Sequence, residues 1–81
     1  MKLPRDLSAD ELVGLLEVFG YTMMRQTGSH IRLTTLQNGE HHLTIPRHDP
    51  LRVGTLAAIL SDAAVHLGLS RNEFLKQLFD W

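Results

Sequence analysis

The sequence predicts an α+β fold: a three-stranded antiparallel sheet with helices on one face, in the order α-β-β-β-α plus a short C-terminal helix. Three observations lead there. A capped amphipathic stripe opens the chain, and two runs of alternation flank Asn38-Gly39. A second helical stripe and a second capping sequence complete it. At 81 residues the chain is the size of one domain, taken as 1–81.

The first helix is expected from Ala9 to Phe19. Ser8-Ala9-Asp10-Glu11 has the form of a capping box, in which the serine accepts an early helical N–H and the glutamate reaches back to it. Leu12, Leu15, Leu16 and Phe19 recur at helical spacing. Gly20 offers the left-handed conformation that ends helices. Tyr21 to Thr27 alternates as a strand, although methionine is not a strong strand former. Met23-Met24 is expected as core filler and edge. Gly28-Ser29 is a turn signal.

His30 to Leu36 and His41 to Ile45 are the clearest strands, and their register can be derived. A two-residue turn at Asn38-Gly39 would set Leu33 opposite Thr44 and mix the faces. A three-residue loop, Gln37-Asn38-Gly39, sets Leu33 opposite Leu43 and Ile31 opposite Ile45, with Gly39 left-handed. One slip moves every side chain to the wrong face, so the second register is expected. One face is then Ile31, Leu33, Leu43 and Ile45. The other is His30, Arg32, Thr34, His42 and Thr44, open to solvent or a ligand.

Pro46 cannot donate to a ladder and ends the third strand. Arg47-His48-Asp49-Pro50 connects to the second helical stripe, Thr55, Leu56, Ile59, Leu60, Ala63 and Leu67, closed by Gly68. Ser70-Arg71-Asn72-Glu73 is another capping box, with Leu69 and Phe74 placed for a hydrophobic staple. Phe74, Leu75, Leu78 and Trp81 give the last helix its apolar side.

Composition excludes several function classes. With no cysteine there is neither a disulfide framework nor a cysteine-ligated zinc. MKLPRDLSADEL lacks the apolar run of a secretory signal. No segment approaches the ~20 apolar residues that span a bilayer, so no membrane is expected and a cytoplasmic location is. Adjacent strand residues point to opposite faces, so His41 and His42 cannot easily hold one ion; neither metal nor cofactor is expected. The net charge is −1, but the charges are uneven. Asp6, Asp10, Glu11 and Glu17 crowd the first helix, while Arg25, Arg32, Arg47 and Arg52 lie mid-chain. A neutral protein can still present a basic face to phosphate.

The layout looks like the double-stranded-RNA-binding-domain fold. Gly28-Ser29-His30 opening a strand, Ile45-Pro46-Arg47-His48 ending one, and Gly54-Thr55-Leu56 with Ile59-Leu60 opening a helix together resemble the HicA family, the toxin half of the HicA/HicB toxin–antitoxin pair. The similarity runs from the Leu12–Gly20 helix to the Phe74 helix. It implies a compact domain that cleaves mRNA without a ribosome, a working histidine at His30, and a HicB-type antitoxin that binds and blocks that surface.

The residues can support such chemistry. RNA cleavage needs a group that takes a proton from the 2′-hydroxyl or gives one to the leaving oxygen, and an imidazole can do either. A nearby cation stabilises the charge gathered in the transition state. Arg32 lies two residues along on His30's face, and Arg47 and Arg25 are further neighbours. Gly28 permits close approach of a phosphate, and Ser29 can donate to it. His30 opposite Pro46 leaves His48 roughly 7 Å away if the strand continues, a candidate complementary acid. The bland alternatives are an exposed strand histidine and a solvated arginine. A non-catalytic double-stranded-RNA-binding module is the main rival. Such domains usually carry a lysine cluster at the start of the last long helix, which here reads Thr55-Leu56-Ala57-Ala58. An inactive interaction domain is the second rival.

Overall fold

The computed structural model describes residues 3–79. Trp81, expected on the apolar side of the last helix, lies outside them. The elements are α1 (Ala9–Leu16), a 3-10 turn (Glu17–Phe19), β1 (Thr22–Thr27), β2 (His30–Thr35), β3 (His41–Pro46), α2 (Val53–Leu67) and α3 (Arg71–Phe79). They form an α+β arrangement with one antiparallel sheet of order β1-β2-β3.

The capping box at α1 forms as expected. Ser8 Oγ accepts the Glu11 N–H at 3.1 Å, and Glu11 Oε1 accepts the Ser8 N–H at 3.0 Å. These bonds from Ser8, the backbone one foremost, hold the Glu11 carboxyl below the usual range. Leu12, Leu16 and Phe19 turn inward, and Gly20 closes the segment at φ 81°. A Cβ at Gly20 would stand 3.0 Å from Thr35 Oγ1, so glycine is required by φ and by space. Thr35 is buried but satisfied. Its hydroxyl donates to the Phe19 carbonyl at 2.8 Å and accepts the Gln37 N–H at 3.1 Å. At α3, the Ser70 hydroxyl accepts the Glu73 N–H and also donates to the Glu73 carboxylate.

The three-residue-loop register is the one found: Leu33 faces Leu43, Ile31 faces Ile45 and His30 faces Pro46. All four aliphatic side chains are buried in one cluster with Leu12 and Leu16 of α1, Leu56 and Leu60 of α2, and Phe74 of α3. Phe19 and Phe74 stack with centroids 4.7 Å apart. The helices thus cover one sheet face and leave the other open. Full burial of a side chain such as Leu33 contributes roughly 2–3 kcal/mol.

Local details depart from the sequence expectations. The ladder stops at Thr35–His41, so residues 36–40 stand outside it. Gly39 is left-handed as expected, at φ 98°, and so is Asn38, at φ 57°. The cause is a clasp from α2. Asn38 Nδ2 donates to the His66 carbonyl at 2.8 Å, and His66 Nε2–H donates to the Gln37 and Gly39 carbonyls at 2.9 and 3.0 Å. Bonds to α2 replace the last rung of the hairpin.

The second departure is in β1. Met23 pairs with Leu33, but Arg25 pairs with Arg32, so Met24 is an extra residue in a β-bulge. Neither methionine fills the core: Met23 is 53% and Met24 65% exposed. β1 is an edge strand exposed along its length, and the bulge turns its middle away from the helices.

Candidate active site on the open sheet face

The open face is a grid of three rows. His30, first in β2, has Thr27 and Pro46 across from it; Arg32 has Arg25 and Thr44; Thr34 has Thr22 and His42. Alternation sets adjacent rows roughly 7 Å apart along a strand. Apart from Thr34 and Pro46, both half-buried, these residues are exposed.

His30 stands where the turn through Gly28 and Ser29 enters β2. Gly28 is left-handed at φ 44°, and a Cβ there would meet no heavy atom within 4 Å. The backbone around the turn is therefore open to an incoming group. Ser29 Oγ lies 3.1 Å from His30 Nδ1. If Nδ1–H donates to Ser29, Nε2 keeps its lone pair and is a base. Once Nε2 takes up a proton, the imidazolium keeps its Nδ1–H donating to Ser29 and its Nε2–H is an acid. One serine can orient both forms needed for acid–base chemistry.

Arg25 and Arg32 face one another directly, and among the described residues neither guanidinium makes an ion pair or hydrogen bond. Like charges set opposite each other on a sheet are destabilising, and an anion between them would remove the penalty. The sheet face carries no carboxylate of its own. Glu40, at the hairpin end, is engaged by His42 at 3.0 Å. This explains how a chain of net charge −1 presents cations beside His30.

The other predicted site residues are distributed differently. The Arg47 N–H donates to the Ser29 carbonyl at 2.7 Å, which ties the Ile45-Pro46-Arg47-His48 segment to the Gly28-Ser29-His30 turn. Alternation, however, sends the Arg47 guanidinium toward the helices, 3.5 Å from Asp10 Oδ2 in the first turn of α1. His48 turns away from the ladder. Its N–H donates to the Pro46 carbonyl at 2.9 Å and its carbonyl accepts the Ala9 N–H at 3.3 Å. It shares a small cleft with Ser8, Asp10 and Arg47 rather than the open face. His30, Ser29, Gly28 and Arg32 are thus brought together, with Arg25 added. Arg25 is an expected neighbour of His30, but plain alternation puts it on the side of Met23; the bulge is what turns it over.

His41 and His42 do point to opposite faces. His42 Nδ1 lies 2.7 Å from Thr34 Oγ1 on the open side. His41 stacks on His66 at 4.2 Å and bridges Asp62 and Tyr21 on the helix side. Tyr21 is fully buried, and burial with the nearby Asp62 charge pushes its hydroxyl up to about 12. Among the described residues no group of three or more His, Asp or Glu side chains is arranged to hold a metal, and no single helix is long and apolar enough to cross a membrane.

Comparison with known proteins adds the family. The family model described as the HicA toxin of bacterial toxin–antitoxin systems matches residues 9–65, from the first residue of α1 to near the end of α2. No curated protein and no solved structure matches the chain. The matched span holds the whole sheet, the Gly28-Ser29-His30 turn and the arginine row, and by it the chain belongs to the HicA toxin family, so that its role is that of the toxin in a toxin–antitoxin system.

Proposed function

We propose that the protein is a metal-independent endoribonuclease that cleaves mRNA, the toxin of a type II pair whose HicB-type antitoxin blocks it in the cytoplasm. The observation that carries the reading is His30, oriented by Ser29 at 3.1 Å on an open face beside two arginines that have no ion-pair partner among the described residues. His30 Nε2 takes the proton of a ribose 2′-hydroxyl. The 2′-oxygen then attacks the adjacent phosphorus, the P–O5′ bond breaks, and the 5′-oxygen leaves with the proton that His30 Nε2 gives back. The products are a 2′,3′-cyclic phosphate and a free 5′-hydroxyl. Arg32 and Arg25 stabilise the charge on the phosphoryl oxygens, and the open turn at Gly28 lets the backbone approach. Since Arg47 and His48 face the α1 side, their part is to hold the turn rather than to touch phosphate. An antitoxin laid across the sheet would bury His30 and both arginines without unfolding the toxin, and the unpaired edge of β1 offers it main-chain hydrogen bonds.

Purified antitoxin-free protein is incubated with labelled mRNA in EDTA, beside His30→Ala shown folded by circular dichroism. Cutting by the wild type that vanishes in the variant is the expected result. Equal cutting by both removes His30 from the chemistry. Binding without cutting by either makes the protein a binding module.

A further inference from the structure

The row of the open face farthest from His30 ends in a groove of about 700 Å³. Its apolar walls are Met24 and Leu36, 65% and 76% exposed. Its polar lining includes Thr34, Gln37, Glu40 and His42. We propose that this groove is a nucleobase subsite for single-stranded RNA, accepting a base that carries an exocyclic amino group. The proposal rests on the ribonuclease reading and adds to it where the substrate's sequence is read.

The groove lies one row beyond the arginines, and the same bulge shapes both. Met24, the inserted residue, lines the groove, while Arg25 beside it turns to face Arg32. From His30 to Thr34 is four strand residues, roughly 13 Å, a span an unstacked strand covers in about two nucleotides. A strand with one phosphate at His30 and the next between Arg25 and Arg32 delivers a following base to the groove. Apolar walls on a wet sheet face suit the flat face of a base, which stacks without regard to sequence.

The polar lining adds the selectivity. In neutral His42 the Thr34 hydroxyl donates to Nδ1 at 2.7 Å and Nε2–H donates to Glu40 Oε2 at 3.0 Å. This relay fixes the Glu40 carboxylate and leaves Oε1 as a free acceptor on a residue that lines the groove. An acceptor there pairs with the amino group of adenine, cytosine or guanine and repels the carbonyl edge of uracil. The loop that carries Gln37 and Glu40 is held in place beforehand. Asn38 and His66 clasp it to α2, and Thr35 holds the Gln37 N–H.

The test uses binding, so it does not depend on cutting. His30→Ala, shown folded and carrying methyl labels on methionine and leucine, is titrated with single-stranded uridine pentamers holding one adenine at successive positions. Expected are shifts of the Met24 and Leu36 methyls with adenine at one position, and about tenfold tighter binding there than to all-uridine RNA. An abasic site at that position, Met24→Ala, or Glu40→Gln should each remove the preference. Binding that leaves the Met24 and Leu36 methyls unmoved would overturn the subsite while the ribonuclease reading stands. Equal binding at every adenine position overturns it too. No binding of any pentamer overturns both.

Discussion

Replacing Arg32 with glutamine should move stability and RNA binding in opposite directions. Arg25 and Arg32 are cross-strand partners with no carboxylate between them among the described residues. With the guanidinium groups splayed to ~7 Å in a water-like dielectric, Coulomb's law gives a repulsion of about 0.6 kcal/mol. Glutamine removes it and keeps much of the stem. At low ionic strength Arg32→Gln should therefore be more stable by about 0.5 kcal/mol, a rise of roughly 2–4 °C in Tm for a domain this size. The gain should shrink to nothing near 1 M salt, where the screening length is about 3 Å. Thermal unfolding by circular dichroism at low and high salt measures both values. The variant should also bind single-stranded RNA more weakly, with a slope of log affinity against log salt shallower by about 0.7 for one lost phosphate contact. Fluorescence anisotropy with a labelled RNA reads that slope. A variant less stable than wild type at low salt, or a gain that salt leaves unchanged, would refute the unpaired-cation reasoning. An unaltered salt slope would refute the phosphate contact.

Other outcomes follow from single residues. Leu33→Ala, in the central strand at 0% exposure, should cost about 2–5 kcal/mol in urea unfolding. Ser8→Ala removes the α1 cap and should cost about 1 kcal/mol at pH 7. Since the Glu11 carboxyl is held low in the folded chain chiefly by the backbone N–H of residue 8, which alanine keeps, its share is present above the ordinary carboxyl range in both proteins and lost as pH falls below it, so both urea midpoints should fall in acid with most of the gap between them kept. Tyr21 is raised from 10.0 to about 12 in the folded protein. Its contribution is full below pH ~10 and disappears as pH rises toward 12. Tyr21→Phe should lack that alkaline loss, while giving up about 1 kcal/mol at pH 7 with the His41 hydrogen bond. Urea midpoints measured between pH 7 and 12 check both parts.

Much of the molecule was legible in the chain itself. The alternation of Ile31 and Leu33 with His30 and Arg32, and the Asn38-Gly39 turn, were enough to derive the β2–β3 register and the open face for His30. That works because side-chain parity in a strand is a local property and one face must be buried. Ser8 with Glu11 announced the first cap in the same local way. Three features depended on neighbours distant in sequence. The Met24 bulge turned Arg25 onto the working face and exposed two methionines that looked like core filler; a bulge arises where an edge strand outruns its cover. Arg47 was drawn to Asp10 because both emerge on the helix side of the sheet, a placement no spacing in the chain reveals. His66, an unremarked helix residue in the sequence, took hold of the hairpin tip. The sequence by itself determined which atoms can do chemistry and which face they occupy, because period and capping are short-range. Only the tertiary structure decided which charges are left without partners, because an ion pair or a bulge is settled by what packs beside it.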